Sequence, residues 1–277
     1  RDLHLCDRRQ RQMCIRDRVR RMISYPHGIL LLTGPTGSGK TTSLYSFLKS
    51  LNKEDVNITT IEDPIENNIS GVNQIQVNSK VNMTFAAALR AILRQDPNII
   101  MIGEIRDEET AEIAVKAAIT GHLVLSTLHT NSAHGTISRL VDMGIPKYLV
   151  ADALIGAISQ RLVRKLCPNC KKPHMTTPEE MKELGLTEPV QIYEPGSCGN
   201  CNNTGYHGRT GVFEILNMNP TIKKAIEMSE FSMETIYDAC VSSGMIPLKE
   251  AAKKLVLEGV TSYSEYIALL DNDTEIK

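Results

Sequence analysis

The chain alternates between two patterns of hydrophobic residues, one typical of strands and one typical of helices. Short apolar runs predict strands at 28–33, 57–61, 98–102, 122–127 and 211–215, with an edge hairpin at 69–77. Between the strands, helical periodicity predicts helices at 41–51, 84–95, 107–120, 132–143 and 147–163. This alternation is typical of a three-layer α/β domain with a mainly parallel sheet.

Residues suited to helix ends agree with these boundaries. Thr84 and Asp107 precede Ala-rich amphipathic runs, where N-cap side chains belong. Gly121 and Gly144 follow such runs and predict where the helices end.

The pattern changes at about residue 164 and stays different to the end of the chain. The stretch 164–211 is rich in Cys, Pro, Gly and Asn, and only short helices are predicted beyond it, with Pro220 and Pro247 in first turns. We therefore expect a core at 19–216 that contains a module at 164–211. A small helical subdomain is expected at 217–277.

Composition and charge limit the class of protein. Of 277 residues, 42% are hydrophobic and 23% are charged, which excludes a wholly disordered chain. No apolar run approaches the roughly 18 residues that span a bilayer. The net charge of −1 is uneven, because residues 1–21 hold eight Arg and three Asp and leave 23 basic and 29 acidic residues elsewhere. An acidic body argues against a surface that binds duplex nucleic acid, since such surfaces neutralise phosphates with basic side chains.

The basic start of the chain is expected to be a leader without a function. Residues 1–18 show neither helical nor strand periodicity, and they lack the apolar segment of a signal peptide. They are interpreted as non-native sequence, with a disordered basic arm as the alternative.

The strongest chemical signal is a complete G-x-x-x-x-G-K-[ST] motif. Its residues are Gly34, Pro35, Thr36, Gly37, Ser38, Gly39, Lys40 and Thr41. The motif follows an apolar strand and opens a helix, so its backbone N–H groups and the helix N-terminus predict a polyphosphate site. We expect Lys40 to reach the β and γ phosphates of ATP and Thr41 to hold Mg²⁺, with Thr42 among the nucleotide contacts.

Acidic residues and histidines follow three of the predicted strands. Glu104 ends the apolar strand at 98–102, and the segment 60–66 contains a second acidic cluster that ends in Glu66. Ligands of parallel α/β sheets bind at the carboxyl ends of strands, so a catalytic role is predicted for at least one cluster. His122 opens a strand and His129 follows its end. Lone histidines are more often structural, which leaves both as candidate sensors.

Four cysteines have the spacing of a zinc site. They form two C-x₂-C pairs, namely Cys167 with Cys170 and Cys198 with Cys201. Pro, Asn and Gly inside the pairs favour tight turns that direct four thiolates at one tetrahedral ion. With no open coordination position, a structural Zn²⁺ is expected. Disulfide exchange is disfavoured because neither pair opens a helix after a strand.

Two further expectations concern residues near and beyond these cysteines. Cys240 lies in an apolar helical pattern and is expected in the core. A basic run is expected to form a solvated face, with an acidic partner or an anionic lipid surface as the alternative. The run comprises Arg161, Arg164, Lys165, Lys171 and Lys172.

Together the motifs resemble the secretion ATPase superfamily, specifically the assembly ATPases of type II secretion and type IV pili. The matching segments are 34–41, 60–66, 103–107 and 121–131, and the resemblance covers about residues 19–277. It implies a RecA-like P-loop core that carries the zinc-binding tetracysteine insertion. Assembly ATPases of this family commonly carry such an insertion, whereas pilus retraction ATPases lack it.

The resemblance also implies roles and partners. It implies that Glu66 activates the attacking water, that Glu104 supports Mg²⁺ and that water, and that His122 and His129 sense the γ phosphate. It implies a homohexamer at the cytoplasmic face of the inner membrane that hydrolyses ATP and acts on a membrane platform protein. That activity would drive pilin or pseudopilin assembly, without nucleic acid and without a transmembrane segment.

One departure from the family and two alternatives remain. Family members carry an additional domain that supplies arginines to a neighbouring nucleotide, and residues 1–18 cannot be that domain. A chain without it is expected to bind ATP but to turn it over slowly. The alternatives are a RecA-like nucleic-acid motor, including a conjugative-type secretion ATPase, and a small-molecule kinase.

Overall fold

A seven-stranded sheet forms the centre of the computed structural model, which describes residues 8–228 and 231–274. Its strands are β1 (Gly28–Thr33), β2 (Ile58–Glu62), β3 (Asn73–Gln76), β4 (Ile99–Ile102), β5 (Leu123–Leu128), β6 (Leu154–Leu166) and β9 (Tyr206–Asn217). The order is β3-β2-β4-β5-β1-β6-β9, and only β9 is antiparallel to its neighbour. The predicted mainly parallel sheet is confirmed. A separate antiparallel pair consists of β7 (Lys172–Met175) and β8 (Gln191–Glu194).

Eleven α-helices are present in the described part of the chain. They are α1 (Arg8–Ile23), α2 (Lys40–Leu51), α3 (Phe85–Ile92), α4 (Glu108–Ile119), α5 (Gly135–Asp142), α6 (Lys147–Ala153), α7 (Pro178–Leu184), α8 (Pro220–Glu227), α9 (Met233–Ser242), α10 (Leu248–Leu257) and α11 (Tyr263–Thr274). Both predicted N-caps are confirmed: Thr84 Oγ1 accepts from the Ala87 N–H at 3.1 Å, and Asp107 Oδ1 accepts from the Thr110 N–H at 2.8 Å.

Helices cover both faces of the sheet, as a three-layer domain requires. Successive residues of β1 point to opposite faces, so Ile29 and Leu31 pack with α3 to α6, whereas Leu30 and Leu32 pack with α1 and α2. Helices α8 and α9 join the first of these cores. The predicted core residue Cys240 is fully buried there.

The strands β6 and β9 continue beyond the sheet as a two-stranded ribbon. β6 pairs with β1 only as far as Ser159, but its pairing with β9 runs on to Leu166, next to the first cysteine. Helices α7, α10 and α11 pack on this ribbon in a third core that includes Val163, Val212 and Tyr266. The third core therefore brings the cysteine-containing module and the last two helices together.

Two predicted elements are wrong. Residues 147–163 are not one helix, because α6 ends at Ala153 and the chain continues as β6. The first eight residues of β6 are all buried, so no alternation marked them as a strand. The edge hairpin at 69–77 is instead a single strand, β3, that runs parallel to β2.

The basic start of the chain contains a helix that its pattern did not predict. Helix α1 covers residues 8–23, and its partly buried Ile15 and Val19 pack against the core. Residues 1–7, with Cys6, lie outside the described residues. The interpretation of 1–18 as a leader stays a prediction. In the described ranges, no helix is long and apolar enough to cross a membrane.

Candidate functional site

The G-x-x-x-x-G-K-T segment forms a loop between β1 and α2, at the carboxyl edge of the sheet. Gly34, Gly37 and Gly39 have φ angles of 140°, 79° and 87°, a region that favours glycine. A Cβ atom on Gly34 would lie 2.4 Å from the backbone oxygen of Gln160 on β6. Glycine is therefore needed here both for conformation and for space.

The polar groups of this loop suit an anion. Lys40 Nζ donates to the carbonyl oxygens of Gly34 at 2.7 Å and of Pro35 at 3.0 Å. Burial lowers the pKa of Lys40 from its ordinary value, and the charge of Arg161 lowers it further, whereas Glu104 opposes this. The Ser38 hydroxyl is buried without a hydrogen-bond partner among the described residues. Donors placed in this way fit a polyphosphate, whose oxygens would accept from Lys40 and Ser38.

A cleft of about 550 Å³ opens beside the loop and collects most of the predicted residues. Those that line it are Thr36, Gly37, Ser38, Gly39, Lys40, Thr41, Thr42, Glu66, Glu104 and His129. Its size lies in the range of small-molecule sites, and its position at the carboxyl ends of parallel strands is where α/β folds bind ligands. Residues from four distant segments of the sequence thus meet at one site.

The Glu104 carboxylate is held between two cationic or polarisable groups. Its Oε1 lies 2.5 Å from Arg106 Nη2, and its Oε2 lies 3.2 Å from His129 Nε2. The hydrogen bond to Glu104 raises the pKa of Arg106. Glu104 is mostly buried, whereas Arg106 and His129 are exposed. The carboxylate is thereby fixed in the cleft, near enough to Lys40 for its charge to oppose the lowering of the Lys40 pKa.

The acidic segment after β2 contains one buried and one exposed carboxylate. Glu62 is 3% exposed and accepts hydrogen bonds from Thr60 Oγ1 at 2.6 Å and Gln74 Nε2 at 3.0 Å. It also accepts one from the Tyr45 hydroxyl. Glu66 is exposed and lines the cleft. The sequence alone did not single out Glu62 or Tyr45, because what marks them is a hydrogen bond between two residues that are 17 positions apart in the chain.

The structure does not bring His122 into the cleft. His122 precedes β5, and its Nδ1 lies 3.0 Å from the carbonyl oxygen of Ala117. His129 follows the other end of this six-residue strand, about 20 Å away. Only His129 is therefore placed where it can contact a ligand of this cleft.

Arg161 was expected on a solvated face, and that expectation is wrong. It is 5% exposed on β6, where its Nη2 donates to the carbonyl oxygen of Asn131 at 3.0 Å. Its charge lies near enough to Lys40 to lower the pKa of that residue. The mistaken helix at 147–163 hid this position, because a helix would turn Arg161 to a different face.

The four predicted zinc ligands form one cluster at the end of the ribbon. Their Sγ atoms all lie within 4.8 Å of one another, and all four are free thiols. Three Sγ–Sγ distances are 3.8, 3.7 and 3.6 Å, for Cys167–Cys198, Cys170–Cys201 and Cys198–Cys201. Sulfurs at the corners of a zinc tetrahedron lie about 3.8 Å apart. The donor set and its dimensions therefore fit a structural Zn²⁺.

The neighbouring histidine is engaged elsewhere. His174 Nε2 lies 3.1 Å from Glu180 Oε1, in the capping turn of α7. The backbone N–H of Gly205 donates to Cys201 Sγ at 3.2 Å, which stabilises a thiolate there. The cluster is thus complete with four sulfurs, as the spacing predicted.

Sequence comparison relates the chain to secretion and pilus proteins. A family model described as "Type II/IV secretion system protein" matches residues 8–268. The chain is 50% identical over 246 residues to type II secretion system protein E of Dickeya dadantii, covering 89% of the chain and 49% of that protein. It is 49% identical over 253 residues to type II secretion system ATPase E of Vibrio cholerae (90% and 50%) and 50% identical over 249 residues to type IV pilus assembly ATPase PilB of Acinetobacter baylyi (88% and 43%). The chain spans about half the length of these relatives.

Solved structures share the fold. The pilus retraction motor PilT with bound ADP superposes with a TM-score of 0.70 at 32% identity, covering 91% of this chain and 64% of that one. The ATPase DotB of Legionella pneumophila gives a TM-score of 0.69 at 24% identity, with coverage of 92% and 63%. The second likeness supports the fold alone.

Proposed function

Because the chain belongs to the type II/IV secretion system protein family, we propose that it hydrolyses ATP to power a secretion or pilus assembly machine. The observation that carries this proposal is the cleft in which the P-loop, Glu66, Glu104 and His129 meet. Its relatives named as ATPases include both type II secretion and pilus assembly proteins. Which of these two machines the protein serves depends on the proteins that it binds, because the same cleft would serve either machine.

The predicted catalytic and phosphate-binding residues of the cleft have distinct roles in the proposed reaction. Lys40 and the loop amides would hold the β and γ phosphates, and Thr41 would hold Mg²⁺, which neutralises charge on the transferred phosphoryl group. Glu66, exposed to solvent at the cleft, would orient a water molecule and accept its proton as the water oxygen bonds to the γ phosphorus and the bond to ADP breaks. Glu104, fixed by Arg106 and His129, would support the metal's water shell.

The proposed partners are those that the resemblance to the secretion ATPase superfamily implies. We infer a homohexamer that acts at the cytoplasmic face of the inner membrane on a platform protein of the same machine. The four-thiol cluster supports an assembly rather than a retraction role, and Zn²⁺ there would stabilise the module without taking part in chemistry.

Two substitutions separate nucleotide binding from hydrolysis. Lys40→Ala should abolish binding of a fluorescent ADP analogue, whereas Glu104→Gln should keep binding and lower phosphate release by about 100-fold or more. Lys49→Ala, on the exposed side of the same helix, is the matched control and should resemble the wild type. Equal turnover in the wild type and in Glu104→Gln would contradict the proposal. A phosphorylated acceptor in place of free phosphate would indicate a kinase.

A further inference from the structure

A hydroxyl on the P-loop helix contacts the acidic segment after β2. Tyr45 lies on α2, one helical turn beyond Thr41, and is 6% exposed. Its hydroxyl donates to Glu62 Oε2, and its oxygen accepts from the backbone N–H groups of Glu66 at 3.2 Å and Asn67 at 3.4 Å. Tyr45 therefore connects the phosphate-binding helix to the backbone of Glu66.

Glu62 fixes the orientation of that hydroxyl. A buried carboxylate costs free energy unless donors surround it, and Glu62 receives three from the side chains of Thr60, Gln74 and Tyr45. A phenol has one proton to donate, and here the Tyr45 hydroxyl uses it in the hydrogen bond to Glu62. The lone pairs of the Tyr45 oxygen are consequently left for the two backbone N–H groups.

The segment that carries Glu66 depends on these contacts for its shape. It lies in irregular backbone between β2 and β3, and the Glu66 side chain is exposed. Gln74 of β3 secures the residues that follow Glu66: its Nε2 donates to the Asn67 carbonyl oxygen at 3.1 Å, and its Oε1 accepts from the Ile69 N–H at 2.7 Å. The backbone from Glu66 to Ile69 is thus held by side chains of neighbouring elements.

We propose that Tyr45 is a positioning residue that sets where the Glu66 carboxylate stands in the cleft. The inference rests on the proposed ATP hydrolysis and names a residue of that same site. Thr41 and Tyr45 share one face of α2 because they are four residues apart, so movement of the ligand-binding end of the helix is passed to the backbone of Glu66. A base misplaced by about 1 Å loses on the order of 100-fold in rate.

The variant Tyr45→Phe keeps the ring and removes the hydroxyl. We expect kcat for phosphate release to fall by about tenfold or more, while KM for ATP and Kd for ADP change by less than about threefold. In a Glu66→Gln background, measured by single-turnover phosphate release, Tyr45→Phe should have almost no further effect because it acts through Glu66. Tyr25→Phe, an exposed tyrosine outside the cleft, is the control.

The outcomes distinguish this inference from the proposed function. Suppose that Glu66→Gln is impaired. An unchanged kcat in Tyr45→Phe, or additive losses in the double variant, then overturns the positioning role of Tyr45 and leaves the proposed function standing. A wild-type protein that releases no phosphate, or a Glu66→Gln protein as active as the wild type, overturns both.

A second variant covers the case in which Tyr45→Phe fails to fold by circular dichroism. Gln74→Ala then takes its place, since Gln74 lies on the edge strand β3 and holds the same segment. The same fall in kcat at constant KM, and the same absence of further loss in the Glu66→Gln background, are expected. An unchanged kcat in Gln74→Ala overturns the inference.

Discussion

Gly34 shows how tightly the phosphate loop is packed against its neighbouring strand. Its φ is 140°, and a Cβ there would meet the Gln160 backbone oxygen at 2.4 Å and the Ser38 hydroxyl at 2.9 Å. The Gln160 side chain also donates to the Ser38 carbonyl oxygen at 2.8 Å. The loop therefore has little freedom to move away from β6.

We predict that Gly34→Ala lowers both stability and nucleotide affinity. The free energy of unfolding should fall by about 2 kcal/mol or more, because backbone strain and a clash with a carbonyl oxygen add. Gly121→Ala is the control, with a φ of 115° but no atom within 4 Å of the added Cβ, and it should lose only about 1–2 kcal/mol. Urea denaturation and ADP binding measure the difference. Equal losses in both variants would show that the close approach to β6 contributes nothing.

Residues were predictable from sequence where their chemistry is contiguous. The P-loop and the cysteine pairs are local motifs, so their positions could be read directly. Arg161 and the pair of Tyr45 and Glu62 acquire their roles only from tertiary neighbours, such as Asn131 and Glu66. No spacing in the sequence marks such contacts.

At the scale of elements, the tetracysteine module is the part whose stability we expect to depend on an ion. We predict about one Zn²⁺ per chain, and that Cys198→Ser loses most of it, because a three-thiolate site leaves one position open. Cys240→Ser is the matched control: burial raises the pKa of Cys240 to about 12, so this thiol stays neutral and lies outside the cluster. Atomic absorption after dialysis measures the metal. A Cys198→Ser protein with full zinc would refute the site.

Element prediction failed where burial removed the periodic signal. Strand β6 pairs with both β1 and β9, and its first eight residues are all buried although they include Ser159, Gln160 and Arg161, so apolar and polar positions do not alternate along it. Length and apolar content suit a helix as well as a strand in such a case. The amphipathic helices α3 and α4 gave no such ambiguity, and their caps located their starts within a residue.

At the scale of the whole molecule, the distribution of charge limits the kinds of partner that the protein can bind. Outside residues 1–21 the chain carries 23 basic and 29 acidic residues. We predict that single-stranded DNA changes phosphate release by less than about twofold at low salt, because an acidic body has few groups to neutralise a phosphate backbone. Stimulation of tenfold or more would instead favour a nucleic-acid motor. The assay compares rates with and without an oligonucleotide.

The order of the strands could not have been read from the chain. Pairing of β1 with β5 and β6 joins segments about a hundred residues apart, and it decides that Glu104 and His129 reach the P-loop while His122 does not. The alternation of elements predicted the class of sheet. Which strands are neighbours is set by tertiary packing.

The β6–β9 ribbon connects the phosphate loop to the tetracysteine module. At the end near the sheet, Gln160 is hydrogen-bonded to Ser38 of the phosphate loop, and the far end of the ribbon adjoins the four thiols. From Gln160 to Leu166 the ribbon is about 20 Å long, so a rotation of about 10° about Gln160 would displace its far end by roughly 3–4 Å. Because α7, α10 and α11 pack on the ribbon, such a displacement would move these helices together with the four thiols rather than a single loop.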